Sequence, residues 1–148
     1  MKTAPPGIAS RFTKAEIANA RRYAVRRPTG PLDARVVGLV HDLIARVADR
    51  WTMLVLEVLT ENAPLRFSRL AEQVTGISQK MLTQTVRQME RDGLVTRTVY
   101  AVVPPRVEYE LTPLGLSLGG AFCGVWVWAS DHVTAVEQAR QSFDAKAA

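Results

Sequence analysis

Residues 76–112, GISQKMLTQTVRQMERDGLVTRTVYAVVPPRVEYELT, constrain the fold more than any other part of the chain. They read as a helix, a tight stop and a two-stranded ribbon with a proline-stiffened tip. Ser78 is a good N-cap, because its hydroxyl can accept from an otherwise unpaired first-turn N–H. Leu82, Thr85, Val86 and Met89 recur at helical spacing and form a stripe to be buried, with Met81 at its margin. Gly93 suits the position just past the helix end, and Leu94 restarts an apolar pattern. The opposite face carries Gln79, Lys80, Thr83, Gln84, Arg87 and Arg91. Gln and Arg can make paired hydrogen bonds to base edges, and Lys, Ser and Thr can hold phosphates. A merely solvated polar face is the plain alternative.

The flanking segments give that helix a context. Phe67, Leu70, Ala71 and Val74 form a short helical stripe, and Thr75-Gly76-Ile77 separates it from the next helix. Two helices joined by a three-residue turn containing Gly make a helix-turn-helix, whose second helix enters the major groove. Downstream, residues 94–100 and 106–111 are rich in β-branched and aromatic side chains. Val107, Tyr109 and Leu111 alternate with Arg106, Glu108 and Glu110, so one face should lie on the core. Pro104-Pro105 cannot donate backbone hydrogen bonds and marks the tip. Arg106 sits beside the tip, within reach of a phosphate or the minor groove. An ordinary edge hairpin is the alternative for the ribbon.

With these motifs in one register, roughly residues 38–118 resemble the HxlR-type family of bacterial winged-helix transcription regulators. The resemblance rests on Asp49-Arg50-Trp51-Thr52, Leu65-Arg66-Phe67-Ser68-Arg69-Leu70 and Gly76-Ile77-Ser78 with Lys80-Met81-Leu82-Thr83-Gln84. It continues through Glu90-Arg91-Asp92-Gly93-Leu94-Val95-Thr96-Arg97, Val99-Tyr100, Val103-Pro104-Pro105-Arg106-Val107-Glu108-Tyr109, Leu111-Thr112 and Leu114-Gly115. It implies a homodimeric DNA-binding protein, with a recognition helix at 78–92, a wing at 94–112 and terminal helices building the dimer interface. Many members of that family carry a Cys near the start of the first core helix, and some sense oxidants through it. Counting back from Trp51, that place holds Gly38, so a thiol switch there does not carry over. The position usually acidic before the Leu of the first helix of the motif is Arg69.

The chain of 148 residues fits one domain, and 47% hydrophobic content argues against disorder throughout. Its one Cys allows no intrachain disulfide, which makes a reducing, cytoplasmic setting the default. No apolar leader opens the sequence. His41 and His132 are the only histidines and lie far apart, so no metal-ligand cluster is visible. No phosphate loop, nucleotide fingerprint or catalytic constellation is recognisable, and neither an enzyme nor a cofactor is expected.

Charge is uneven. Lys2, Arg11, Lys14, Arg21, Arg22, Arg26 and Arg27 face only Glu16 and Asp33 within residues 1–33, so the whole net charge of +5 lies there. The first ten residues should be loose. Thr13-x-x-Glu16 then forms a capping box, with Phe12 and Ile17 as a hydrophobic staple, and a helix should run from about 14 to 27 before Pro28-Thr29-Gly30-Pro31. A basic arm favours phosphate contact through counterion release; a solvated helix packed on a dimer is the alternative.

A helix over about 33–48 should open the core domain through Val36, Val37, Val40, Leu43, Ile44 and Val47, and Trp51 should anchor a buried helix to about 60. Near the end of the chain, Thr112 can cap and Pro113 suits a first helical position. No charged residue occurs from Leu114 to Ala129. The run is short of the ~20 apolar residues of a membrane span, so a membrane helix is not expected. A helix apolar all round is buried on two sides, here by its own domain and a second subunit. Gly115, Gly119, Gly120 and Gly124 permit close approach. Phe122, Cys123, Val125, Trp126 and Trp128 supply the dimer surface or the lining of a pocket for a small apolar or aromatic effector.

The expected fold is α+β and mainly helical, a winged helix-turn-helix with a β-hairpin wing and added N- and C-terminal helices for dimerisation. The expected division is a basic extension at 1–33, a DNA-binding domain at 34–112 and a dimerisation helix at 113–148. The expected partners are double-stranded DNA with a pseudo-palindromic operator, a second copy of the chain and an effector, without a membrane. Gln79, Lys80, Thr83, Gln84 and Arg87 should read bases or their near surroundings, while Ser68, Arg66, Arg97 and Arg106 position backbone and wing. The competing reading is a winged-helix protein-interaction module that never touches DNA.

Overall fold

A computed structural model of the protein describes residues 12–22, 31, 33–47 and 49–147. In chain order these form α1 (Lys14–Arg22), α2 (Ala34–Val47), α3 (Arg50–Asn62), β1 (Leu65–Arg66), α4 (Phe67–Gln73), α5 (Gln79–Arg91), β2 (Val95–Tyr100), β3 (Arg106–Leu111) and α6 (Pro113–Ala147). The fold is mainly helical with a small antiparallel sheet of order β1-β3-β2.

The core lies where α3, α4, α5 and the sheet meet. Helix α3 supplies Val55, Leu56 and Leu59, α4 supplies Leu70 with Val74 after it, and α5 supplies Leu82, Val86 and Met89. Leu94, Val95, Tyr109 and Leu111 close it from the wing. Burying such a side chain fully contributes roughly 1.5–3 kcal/mol, so the near-continuous apolar run of α3 fixes it at the centre. Asp49 caps α3 by accepting from Trp51 N–H at 3.2 Å. Trp51 packs partly buried against the core, and the Arg50 guanidinium lies 4.7 Å from its ring centre.

The ribbon forms as its alternation predicts. β2 and β3 pair from Val95↔Leu111 to Tyr100↔Arg106, and Val107, Tyr109 and Leu111 share the core-facing side. Strand β1 is an addition to the sequence reading. Two residues are too short to show a period of two, yet Leu65 pairs with Tyr109 and Arg66 with Glu108. This pairing ties the entrance of α4 to the wing.

At the N-terminal side the capping box is present. Glu16 N–H donates to Thr13 Oγ1 at 3.2 Å, and Thr13 N–H donates to Glu16 Oε2 at 2.8 Å. Phe12 and Ile17 pack together against Leu116 of α6, so the staple docks α1 on the C-terminal helix. The expected helix to residue 27 is described as far as Arg22. The loose tip and residues 23–30 lie outside the described residues.

Helix α6 starts as expected and runs much further than its apolar stretch. Gly115 N–H donates to Thr112 Oγ1 at 3.0 Å, which caps the helix. Leu116 is buried, but the surface opens from Ala121 onward. Val125, Trp126 and Trp128 are each more than half exposed. The helix passes through Asp131 and His132 unbroken to Ala147. By length and composition it could cross a membrane, with 12% of its most apolar window buried. Helix α2 differs from expectation in the same sense. Its apolar positions Val36, Val37, Val40 and Ile44 are exposed instead of joining the core.

Candidate nucleic-acid interface

The candidate surface is built on α5. Ser78 caps it by accepting from Met81 N–H at 3.1 Å. Before it, Gly76 takes φ +85°, a conformation that a side chain disfavours, and this turns the chain sharply between α4 and α5. After it, Gly93 takes φ +73° and Leu94 N–H donates back to Met89 O at 2.8 Å, so the helix ends cleanly into β2.

With Leu82, Thr85, Val86 and Met89 buried, the other face is fixed outward. Gln79, Lys80, Thr83, Gln84 and Arg87 are all exposed there, as the sequence predicts. Lys80, Thr83, Gln84 and Arg87 line one open hollow of about 460 Å³ together with Gln88 and Arg91. The sequence pattern does not mark Gln88, which lies at the margin of the buried stripe. Its amide reaches Asp92 Oδ1 at 3.3 Å. Thr83 Oγ1 donates to Gln79 O at 2.8 Å, which leaves its lone pairs as acceptors toward solvent. No acidic residue occurs in α5 before Glu90. The helix N-terminus therefore adds its partial positive charge to that of Lys80 and Arg87.

The flanking candidates divide. Ser68 and Arg66 are exposed at the start of α4, where Arg66 sits in the N-cap position without a side-chain cap bond. Arg69 is paired with Glu72 at 2.9 Å, so its departure from the family's pattern adds little net field. Arg97 is exposed on β2 opposite Tyr109. Arg106 is committed within the wing: its guanidinium lies 4.0 Å above the centre of the Tyr100 ring. Its Nε is 3.2 Å from Glu108 Oε1, an ion pair without hydrogen-bond alignment. Arg66 faces the same glutamate across the sheet.

The other candidate group sits apart from this surface, on α6. Phe122 is half-buried, whereas Val125, Trp126 and Trp128 are exposed. Trp128 stacks on His132 with ring centres 4.7 Å apart. The side chain of Cys123 lies outside the described residues. Among the described residues, no group of three or more His, Cys, Asp or Glu is placed to hold a metal ion.

The helix pair α4–α5 joined at the Gly76 turn agrees with the comparison with known proteins. Residues 46–137 match the family described as HxlR-like helix-turn-helix. The chain belongs to the HxlR-like family. Among its relatives is the uncharacterized HTH-type transcriptional regulator YtfH of Escherichia coli (strain K12), 46% identical over 74 residues, or 50% of this chain and 58% of YtfH. The chain thus spans somewhat over half the length of that relative. The uncharacterized HTH-type transcriptional regulator YtcD of Bacillus subtilis (strain 168) is 40% identical over 61% of this chain and 71% of YtcD. The solved structure of the regulator ytfH from Salmonella typhimurium superposes with a TM-score of 0.61 at 35% identity, covering 69% of this chain and 90% of that one. The HxlR-like match begins inside α2, so α1 and most of α2 precede it. The family is one of transcriptional regulators, not of enzymes.

Proposed function

We propose that this chain is a sequence-specific, homodimeric DNA-binding transcription regulator of the cytoplasm. The observation that carries the reading is the outward face of α5, where Gln79, Lys80, Thr83, Gln84 and Arg87 stand together without a carboxylate. Gln84 and Arg87 have the donor geometry for base edges, and Lys80 and Thr83 suit phosphates or nearby bases. Ser68, Arg66 and Arg97 would hold the backbone on either side. A helix of 13 residues is about 20 Å long, enough to lie along a major groove.

Homodimerisation rests on a second observation. Helices α2 and α6 both leave apolar side chains exposed, among them Val40, Ile44, Val125 and Trp126. A second copy would cover them and set two α5 helices on adjacent half-sites of a pseudo-palindrome, about 34 Å apart. Between two copies, Phe122, Trp126 and Trp128 would wall apolar space for a small apolar or aromatic effector.

Selection of bound duplexes from a random pool, at stated salt, tests the DNA reading. Enrichment of a two-fold symmetric sequence, with affinity falling as salt rises, is the expected result. A protein that enriches nothing and binds without salt dependence is not this regulator, and the protein-interaction module would take its place.

A further inference from the structure

A second hollow lies away from the outward face of α5, where α1 meets the root of the wing and the start of α6. Its volume is about 260 Å³. Phe12, before α1, and Glu16, within it, line one side. Thr96 of β2 and Glu110 of β3 line another, and these two are cross-strand partners. Among the described residues, no Lys, Arg or His lines the hollow, although the chain carries a net charge of +5. Both carboxylates are half-buried, and among the described residues neither is paired with a cation.

From this we infer that the hollow is a binding site for a small primary amine with an apolar or aromatic body. The hydrogen-bonding groups in the hollow are acceptors waiting for a donor. Glu16 Oε2 accepts from the N–H and the hydroxyl of Thr13, which leaves its Oε1. Thr112 Oγ1 is spent, since it donates to Gly93 O and accepts from Gly115 N–H. Glu16 Oε1, the Glu110 carboxylate and the Thr96 hydroxyl remain. An ammonium has three donors and no acceptor, and it matches that set. Its charge also relieves the repulsion between two carboxylates that share a partly desolvated space. Leu59, Leu111 and Pro113 offer apolar walls for the carbon skeleton. The Phe12 ring supplies a face that attracts a cation.

Size and ligand count narrow the class. A hollow of about 260 Å³ is smaller than the ~300–1,000 Å³ of drug-sized sites, so the ligand has a single ring or a short chain. A hard metal ion suits it less. Mg²⁺ and Ca²⁺ take about six or more oxygens, and among the described residues no three His, Cys, Asp or Glu are gathered to supply them. One wall of the site comes from Phe12 and Glu16, which precede the residues 46–137 matched to the family. The site is also separate from the apolar space around Trp126 and Trp128 on α6, and it does not depend on DNA binding by α5.

Calorimetric titration of the full-length chain with phenethylamine, phenethyl alcohol and phenylpropionate tests the inference, because the three probes keep the ring and change the head group. The amine should saturate one site per chain with a Kd of about 1 mM or tighter. The alcohol and the acid should not saturate in that range. Replacing both carboxylates, Glu16→Gln with Glu110→Gln, should weaken amine binding about tenfold or more, since charged acceptors become neutral. Gln at position 16 still serves the capping box, so α1 keeps its start. Thr96→Lys sets a tethered ammonium opposite Glu110 in the strand register. That variant should abolish amine binding while its Tm stays level or rises, as an opposite-charge cross-strand pair stabilises a sheet. The inference is overturned if the alcohol binds as tightly as the amine, or if the amine fails to saturate in that range. It is overturned as well if either the double Gln variant or folded Thr96→Lys binds the amine like the wild type. None of these outcomes touches the DNA-binding reading, which selection of bound duplexes tests separately.

Discussion

Gly115 has no room for a side chain. A Cβ built there would run into the carbonyl oxygen of Leu94, and would lie 3.0 Å from its carbonyl carbon and 3.2 Å from Leu111 Cδ2. The first two are backbone atoms, so no side-chain rotation relieves the contact. The same Leu94 oxygen accepts Thr112 N–H at 3.0 Å, and Thr112 Oγ1 donates to Gly93 O. Gly115→Ala must therefore move α6 away from the β2 entrance and loosen the cap that starts it. Overpacking costs about 1–3 kcal/mol, and a weakened hydrogen bond about 1 kcal/mol more. The gain in helix propensity from Gly to Ala offsets about 1 kcal/mol. The net loss should be about 1–3 kcal/mol, or roughly 2–12 °C in Tm at 2–4 °C per kcal/mol for a chain of this size. Gly119→Ala, four residues further along the same helix and with nothing within 4 Å of the added carbon, is the matched control. It should gain stability within the chain by up to about 1 kcal/mol. Thermal and denaturant unfolding of both variants at fixed protein concentration read the difference. If Gly115→Ala unfolds with or above the wild type, α6 does not seat on Leu94 as described.

Other perturbations address the surfaces. Arg87→Ala should weaken specific binding by roughly 1–3 kcal/mol and relax preference at one base position; an unchanged sequence profile removes Arg87 from the reading set. Val125→Asp should place an unpaired charge in the dimer seam and yield monomers by sedimentation; a dimer of unaltered stability refutes that seam. Deleting residues 1–30 should lower the salt slope of DNA binding if the arm meets phosphates, whereas an unchanged slope with a weaker dimer assigns the arm to packing.

The parts of the fold read well from sequence are those with local signals. Ser78, the stripe through Met89, and Gly93 define α5 within its own span, and alternation from Val107 to Leu111 orients β3. The capping box at Thr13 and Glu16 is equally local. Strand β1 was not legible, since Leu65-Arg66 has no pattern apart from its partner. The withdrawal of Arg106 was half legible. A five-residue tip pairs Tyr100 with Arg106 and puts Glu108 on the same face, but only the assembled hairpin brings ring, cation and carboxylate together. The apolar stripe of α2 is legible, but Val36, Val37, Val40 and Ile44 stay exposed, because periodicity shows that a face is apolar and not what lies against it.

The exposed faces of α2 and α6 can be argued further from length. Composition alone makes α6 long enough for a bilayer. Position along the helix changes that reading. Its first two turns are committed to the domain, with Gly115 against Leu94, Leu116 buried, and Leu118 packed on the core. Beyond Gly120 the apolar run has only residues 121–130 left before Asp131. Ten helical residues span about 15 Å, half of the roughly 30 Å hydrocarbon core. Beyond that run the helix carries exposed charge at Glu137, Arg140 and Asp144, with Val133 and Phe143 also exposed. An apolar band of that length suits a partner helix better than lipid. Helix α2 offers a second such band on the same chain through Val36, Val40 and Ile44. Two such bands on elements flanking one domain are the surfaces that the proposed homodimer would cover.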